Sequence, residues 1–595
     1  MIKDIYPLQA QFRSGEPVRI AIELEPDAHG TRLALAVRRL DRVLLSVVRD
    51  LAPYRGSEAV EAVMEAAAAG GQSFDTHGAS IAFAAMDRVS GVLALTVELP
   101  AIQAAFDGFG VDADLLDEHG APLDTASTAF DVVDDWRRST RYGFLSDFAD
   151  ADRGDAEDVK WLNKLHINLV QFYDWMYKHD ELIPENNAYT DLMGRELCLD
   201  VVREKTELCH EYGMKAFAYG AVYAASKPFA ARHPEWALYQ SDGEPYDFIG
   251  IFTIMNIEAS SPWHAHIIDQ YRRAVEEVGF DGIHMDTYGF PKTGISRLDG
   301  ESRIVRLEAH FPQLIDDTKA ALSKAHPDIG LIFNNVGNWP VGPVAAANQE
   351  AVYVEVWKPY ERYHHIRQII REAQSAGDGK PVILAAYLAP FRKEADPARA
   401  YWSGLLLTSI IASLGAYHLL AGESQSLLTQ AYYVDYSPAG ADFAAALRRY
   451  YDFQIRYANL LYDASLRDVS MTHADGDNLE YVFDGLNYST YGEAGKVWTI
   501  IRESERFKTV SFVNLSGQSE DYWNEGKNEP SVIPGIGVRI LLDREPVGVF
   551  AASPDDRLGR PRQLEYRVTD SLRGMTLEVE VPSLSVWTLL WIEMG

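Results

Sequence analysis

Hydrophobic and polar residues alternate in short runs at 18–24, 32–37, 44–48, 92–99 and 128–133, a period of two that predicts strands with one buried face. Gly, Pro and Asp turns separate the runs, which predicts an immunoglobulin-like β-sandwich over 1–135. Within it, 57–71 reads as a helix or a long loop. From residue 141 the texture changes. Apolar β runs at 142–146, 167–174, 214–219, 282–286, 330–335, 351–356, 382–387 and 416–421 alternate with helix-like stretches at 191–212, 263–278, 302–325, 363–376 and 400–414. Eight strand–helix units in a row predict a (β/α)8 TIM barrel over 136–463. A doubly wound open sheet is the alternative, and no Gly-x-Gly-x-x-Gly follows the first strand to support it. A helix at 441–462 leads into runs at 479–483, 497–502, 509–515, 538–542, 577–581 and 586–592, which predict a C-terminal antiparallel β-sandwich over 464–595.

Composition narrows the chemistry. A chain of 595 residues exceeds a single core, and at roughly 150 residues per domain it would hold three or four. The net charge of −32 excludes nucleic acid and anionic membranes as natural partners and suits a neutral ligand. The apolar run 405–414 is too short to span a membrane and reads as a core helix. The two cysteines, Cys198 and Cys209, fall in one predicted helix and offer neither a disulfide framework nor a four-ligand zinc site. His210 and His266 have no partners at metal spacing, and His364-His365 reads as the exposed opening turn of a helix. No catalytic metal and no cofactor is expected. The first residues lack a basic segment followed by an apolar run and a cleavage site. The expectation for the chain as written is a cytoplasmic protein, or a secreted one if a leader was removed.

Barrel strands present their active residues at their C-terminal ends. The run Gly282-Ile-His-Met-Asp286 is apolar until it exposes an acid. Strand two delivers Gln171, Tyr173, Asp174 and Trp175, with Lys178, His179 and Asp180 just beyond. Tyr288 follows strand four; Asn334 and Asn335 end strand five, Glu355 and Trp357 strand six, Tyr387 strand seven. His418 lies on strand eight, with Glu423 further on. Acids, amides and aromatic rings suit a sugar, whose hydroxyls need planar hydrogen-bonding groups and whose C–H faces stack on rings. Two carboxylates flanking a glycosidic bond suffice to cleave it. Asp286 and Glu355 are the natural pair, with Asp174 as a third acid or as the alternative partner of Asp286. Any one such acid also has a plainer reading, as the cap of the helix that follows its strand.

Three motifs carry a resemblance: Phe280-Asp-Gly-Ile-His-Met-Asp286-Thr-Tyr-Gly, Tyr353-Val-Glu355-Val-Trp and Asn168-Leu-Val-Gln-Phe-Tyr-Asp174-Trp. They resemble glycoside hydrolase family 66, the endo-dextranases and cycloisomaltooligosaccharide glucanotransferases. The 69 positions from 286 to 355 and the order sandwich, barrel, sandwich are similar too. The resemblance implies Asp286 as nucleophile, Glu355 as general acid/base and Asp174 as a sugar-binding acid. It also implies a retaining cleavage of α-1,6-glucan. The sequence departs at Tyr219-Gly-Ala-Val-Tyr223, where an Asn is expected soon after strand three. Only about thirty residues separate strands seven and eight, so the module that cyclising transferases insert there is missing, and hydrolysis is the expectation, with intramolecular transfer, another retaining α-glycosidase or a non-catalytic α-glucan-binding protein as the alternatives. Oligomeric state is not readable from the sequence.

Overall fold

A computed structural model of the chain describes all residues except 26–27, 52–73, 77–78, 87–91 and 393–395, and describes 74–76 and 79–86 by backbone alone. The stretch 57–71 therefore lies outside the described residues. The chain is multidomain and richer in strand than in helix. Its centre is a parallel sheet of eight runs in sequential order: β1 Tyr142–Leu145, β2 Leu169–Phe172, β3 Lys215–Ala221, β4 Gly282–Asp286, β5 Gly330–Val336, β6 Ala351–Glu355, β7 Val382–Ala385 and β8, split into Tyr417–His418 and Ala421–Gly422. The first half of β8 pairs with β7 through Ile383–Tyr417, and the second half pairs with β1 through Phe144–Gly422. The sheet thus returns to its own first strand.

Period-two alternation sorts each strand between two environments. Val170, Ile283, Met285, Phe333, Val352, Val354 and Leu384 face the helices in the main apolar core. Leu169, Phe217, Ile332, Tyr353, Ile383 and Ala385 fill the interior. Space there is short: a Cβ at Gly282 would lie 2.5 Å from the Phe217 ring, so only glycine opens β4. The helix Pro262–Val278 ends at Gly279, whose φ of 97° turns the chain back into that strand.

The connections depart from the expected regularity. Helices of twelve or more residues follow β2, β3, β4, β6, β7 and β8, but the β5 connection holds only the four-residue Val341–Val344. The helix expected at 302–325 begins at Phe311, because Arg303–Arg306 pairs as a strand with Thr293–Ser296. Cys198 ends a short strand while Cys209 lies in the helix Leu199–Glu211, so the two do not share a helix; both are free and buried. The run 405–414 is nearly all inside Pro397–Ser413, whose buried residues include Leu405–Ser413, a core helix as expected. No helix among the described residues is long and apolar enough to cross a membrane.

Before the central sheet, two five-stranded sheets share one core, with Ile20, Ile22 and Val97 from one meeting Leu35, Val111 and Phe130 from the other. After it, a larger and a smaller sheet meet likewise through Ile501, Val510 and Leu590 against Val538, Leu577 and Val579.

Candidate active site

The interior residues nearest the C-terminal ends of adjacent strands form one hydrogen-bonded row. From β3, Tyr219 donates its hydroxyl to Asp286 Oδ2 at 2.7 Å. From β5, Asn334 Nδ2 donates to Asp286 Oδ1 at 2.7 Å and to Glu355 Oε2 at 3.1 Å. Beyond β7, Tyr387 donates its hydroxyl to Glu355 Oε1 at 2.6 Å. The row follows from strand order. Asp286 is two positions beyond the inward-facing His284, Glu355 two beyond Tyr353, and Asn334 sits on the strand between. One amide therefore reaches both acids. Its bonds of 2.7 and 3.1 Å hold the two acceptor oxygens no more than 5.8 Å apart. With the two N–H bonds diverging by roughly 120°, the separation is about 5 Å.

Both acids are buried, with 9% of Asp286 and 6% of Glu355 exposed. Loss of water raises both carboxyls, and the charge of Glu355 raises Asp286 further, to about 7. Burial and the neighbouring charge therefore hold Asp286 well above the usual carboxylate range, and burial raises Glu355 in the same direction. Burial pushes the Tyr219 and Tyr387 phenols well above their ordinary range, so both remain donors. Beneath the acids, burial lowers His284 to about 3 and keeps it neutral, in a 3.1 Å hydrogen bond between its Nδ1 and the Tyr142 hydroxyl.

A cavity of about 520 Å³ opens over this row. Besides the two acids, it is lined by Asp174, Gln171, Tyr173, His179, Tyr288, Asn334, Trp357 and Tyr387 of the expected residues. Asp174 has a φ of 48°, and its backbone carbonyl accepts from Arg195 Nη2 at 2.5 Å. Burial, opposed by the Arg195 charge, raises the Asp174 carboxyl to about 7. Its carboxylate takes no hydrogen bond from the described residues, whereas Asp286 is held by Tyr219 and Asn334, and Glu355 by Asn334 and Tyr387 with Trp357 also against it.

Four expected residues do not reach the cavity. Asn335 follows Asn334 on the strand and so faces the other way, donating to Tyr353 O at 2.8 Å. Trp175 turns under the left-handed Asp174 and donates its indole N–H to Tyr219 O at 3.2 Å. Lys178 lies over the Tyr177 ring at 3.9 Å and pairs with Glu181. His418 Nε2 donates to Ala386 O at 3.0 Å inside the wall. Two further strand-end acids are committed to the scaffold. Asp180 accepts from Ser226 N at 2.6 Å, and Glu423 accepts from Ser146 N at 2.6 Å beside the buried Lys205. His364 stacks on Tyr491 and His365 Nδ1 accepts from Arg362 N, where the helix Tyr363–Ala376 opens.

Several lining residues escaped the sequence reading. Tyr219 was visible only as an apolar-strand tyrosine. Tyr433 comes from the loop after β8 and stacks on Tyr173 with ring centres 4.3 Å apart. Phe248 and Ile249 come from a hairpin in the β3–β4 connection, and Met193 from one after β2. A segment far along the chain braces the loops beyond β6 and β7. Trp523 Nε1 donates to Tyr360 O at 2.7 Å, Tyr363 N donates to Asp521 O at 3.0 Å, and Ala389 N donates to Asn524 Oδ1 at 2.9 Å.

A larger cavity, about 1100 Å³, lies at the opposite ends of the strands. Its cations are already committed: Arg502 to the carbonyls of Leu461, Asp463 and Leu466, Lys380 to those of Ala345 and Ala347. The bridged acids Asp286 and Glu355 are at the other end.

Two buried carboxyls with raised titration, bridged by one amide and flanked by tyrosine donors, have the make-up of a pair able to carry out acid–base chemistry. The chain belongs to glycosyl hydrolase family 66, whose match spans residues 52–591. It is 22% identical to a cycloisomaltooligosaccharide glucanotransferase of Niallia circulans, over 82% of this chain and 65% of that protein. It is 24% identical to a dextranase of Streptococcus salivarius, over 82% of this chain and 67% of that protein. The chain therefore spans about two thirds of the length of these curated relatives. Among solved structures, a Paenibacillus cycloisomaltooligosaccharide glucanotransferase complexed with cycloisomaltoheptaose superposes with a TM-score of 0.83 at 19% identity, covering 99% of both chains. The fold is shared at that level.

Proposed function

We propose that the protein is a retaining glycoside hydrolase that cleaves α-1,6-glucosidic linkages of dextran or isomaltooligosaccharides. The observation that carries this is the Asn334 bridge: acceptor oxygens about 5 Å apart match the 5–5.5 Å between carboxyls of retaining enzymes and fall short of the wider gap that inverting enzymes need for water. In this reading Asp286 attacks the anomeric carbon as the C1–O6 bond breaks. Glu355 delivers its proton to the departing O6, leaving a β-glucosyl ester on Asp286. Water then enters, Glu355 takes its proton, and the product leaves with the α configuration while Asp286 returns as carboxylate. Asp174, aimed into the cavity without a protein donor, would accept sugar hydroxyls, and Tyr173 and Trp357 would stack on sugar faces.

The same geometry supports reading the closed sheet as a (β/α)8 barrel spanning 136–463, between sandwiches at 1–135 and 464–595. Intramolecular transfer to a sugar hydroxyl is the second reading. A relative of each activity matches the chain at similar identity, a cycloisomaltooligosaccharide glucanotransferase at 22% and a dextranase at 24%. Product analysis on dextran and isomaltooligosaccharides separates the two: linear shortened products for hydrolysis, cyclic ones for transfer. Asp286→Asn should abolish either. A purified protein that forms neither product from α-1,6-glucan would overturn the proposal.

A further inference from the structure

The mouth of the cavity carries an anomaly of backbone and side chain together. Asp247–Phe248 and Phe252–Ile254 form a hairpin in which Phe248 pairs with Phe252. Across its tip Ile251 N donates to Phe248 O at 3.1 Å and Gly250 N to Asp247 Oδ1 at 2.8 Å. Both central residues have positive φ, 50° for Ile249 and 76° for Gly250. That combination belongs to a type I′ turn, whose first central position favours Asn, Asp or Gly, because a β-branched side chain crowds its own backbone in the left-handed region. Isoleucine is among the residues least suited to it. Nor does burial compensate, since 57% of Ile249 is exposed.

The hairpin has little freedom to relax. Phe248 stacks on Tyr288 with ring centres 4.0 Å apart, Phe252 lies 4.3 Å from the His179 ring, and Phe252–Ile254 pairs with Ala224–Ser226. Ile249 is thereby fixed at the cavity mouth, where Met193 also lines the opening. Met193 sits in a turn whose Asp191 Oδ1 accepts from Met193 N at 2.9 Å and from Arg195 N at 2.8 Å, and Arg195 is the residue that holds Asp174. Two apolar side chains from independent hairpins thus flank the entrance, above acids that supply the polar contacts.

We propose that Ile249, with Met193 lining the same cavity, is a specificity-determining residue that packs on a glucosyl unit lying outside the bond-breaking position. The inference rests on the functional reading above. An α-1,6 link offers suitable chemistry, because each unit presents a C6 methylene and a C–H ring face. Strain that folding does not recover by burial is recovered by contact with a ligand.

The test is Ile249→Gly and Ile249→Asn, both residues the turn accepts, so neither variant is expected to unfold. Thermal stability should rise in both. KM for isomaltooligosaccharides long enough to reach the mouth should rise roughly tenfold, the low end for losing an apolar contact of this size, with kcat unchanged. KM for the shortest cleaved oligosaccharide should stay as in the parent. If the parent cleaves α-1,6-glucan and the variants show the same KM at every length, or if their stability falls, this inference is wrong while the functional reading stands. If the parent cleaves no α-1,6-glucan, the functional reading fails and takes the inference with it.

Discussion

Asn334 is the residue that bridges the two acids, and Asn334→Leu removes its amide while keeping the branching and number of side-chain heavy atoms. In the parent one Nδ2 donates at 2.7 Å to Asp286 and at 3.1 Å to Glu355, and both contacts favour the ionised carboxylates. A hydrogen bond to a charged group contributes about 1.5–3 kcal/mol, which corresponds to about one to two pH units. The acid limb of the kcat/KM profile, set by the first ionisation of the pair, should therefore move up by that amount. Stability should follow the same linkage. Carboxyls raised in the folded protein favour folding below their unfolded value, 3.8 for Asp286, and that contribution is lost as pH rises through about 7. Losing a donor raises them further, so the loss deepens. The variant should match the parent near about pH 4, where both acids are protonated in the folded state of either protein and the unfolded state is common to both. It should fall behind by about 1.5–3 kcal/mol once one acid is ionised. Denaturant unfolding at several pH values, read beside the pH–rate profile, checks both. An unmoved acid limb, or a stability difference independent of pH, would show that Asn334 does not set the ionisation of the pair.

Three other substitutions follow from the same row and its supports. Tyr387→Phe removes the 2.6 Å donor from Glu355 and should raise the alkaline limb of the kcat/KM profile by about one pH unit, since the pair then keeps its proton longer. Asp286→Asn should abolish turnover yet stabilise the fold more at pH 8 than at pH 5, because it deletes a buried charge while its amide still reaches Tyr219; thermal unfolding at both pH values reads this. Trp523→Phe keeps a ring but loses the 2.7 Å bond to Tyr360 O, so unfolding should show a loss of about 0.5–1.5 kcal/mol, and steady-state kinetics should show a larger change in kcat than in KM, because the braced loops carry Trp357 and follow Tyr387.

What the sequence disclosed and what it concealed divide along one physical line. Short apolar runs between helix-like stretches are a local signal, and they sufficed to locate the eight central strands and to mark Asp286 and Glu355 as acids at the ends of such runs. Period-two alternation, counted from Ile332 and Phe333, separates Asn334 from Asn335, two amides that composition cannot distinguish. Trp175 could not be judged that way, since the left-handed backbone at Asp174 breaks the count one residue earlier. The strand Phe106–Leu116 falls between the predicted runs, and its Gly108 is a close approach: a Cβ there would come within 2.0 Å of Ile455 O. Tyr219 looked like core because a tyrosine in an apolar strand is core until an acid appears beside it on the next strand. Phe248, Ile249, Tyr433 and Trp523 reach the site through hairpins and loops whose paths depend on contacts tens to hundreds of residues away. A scaffold built on alternation is legible residue by residue, while the parts that shape the cavity above it are fixed by long-range packing. Under the proposed function, those parts rather than the two acids would set the partition between water and a sugar acceptor, because one pair of acids serves both reactions while the walls of the cavity govern which acceptor reaches them.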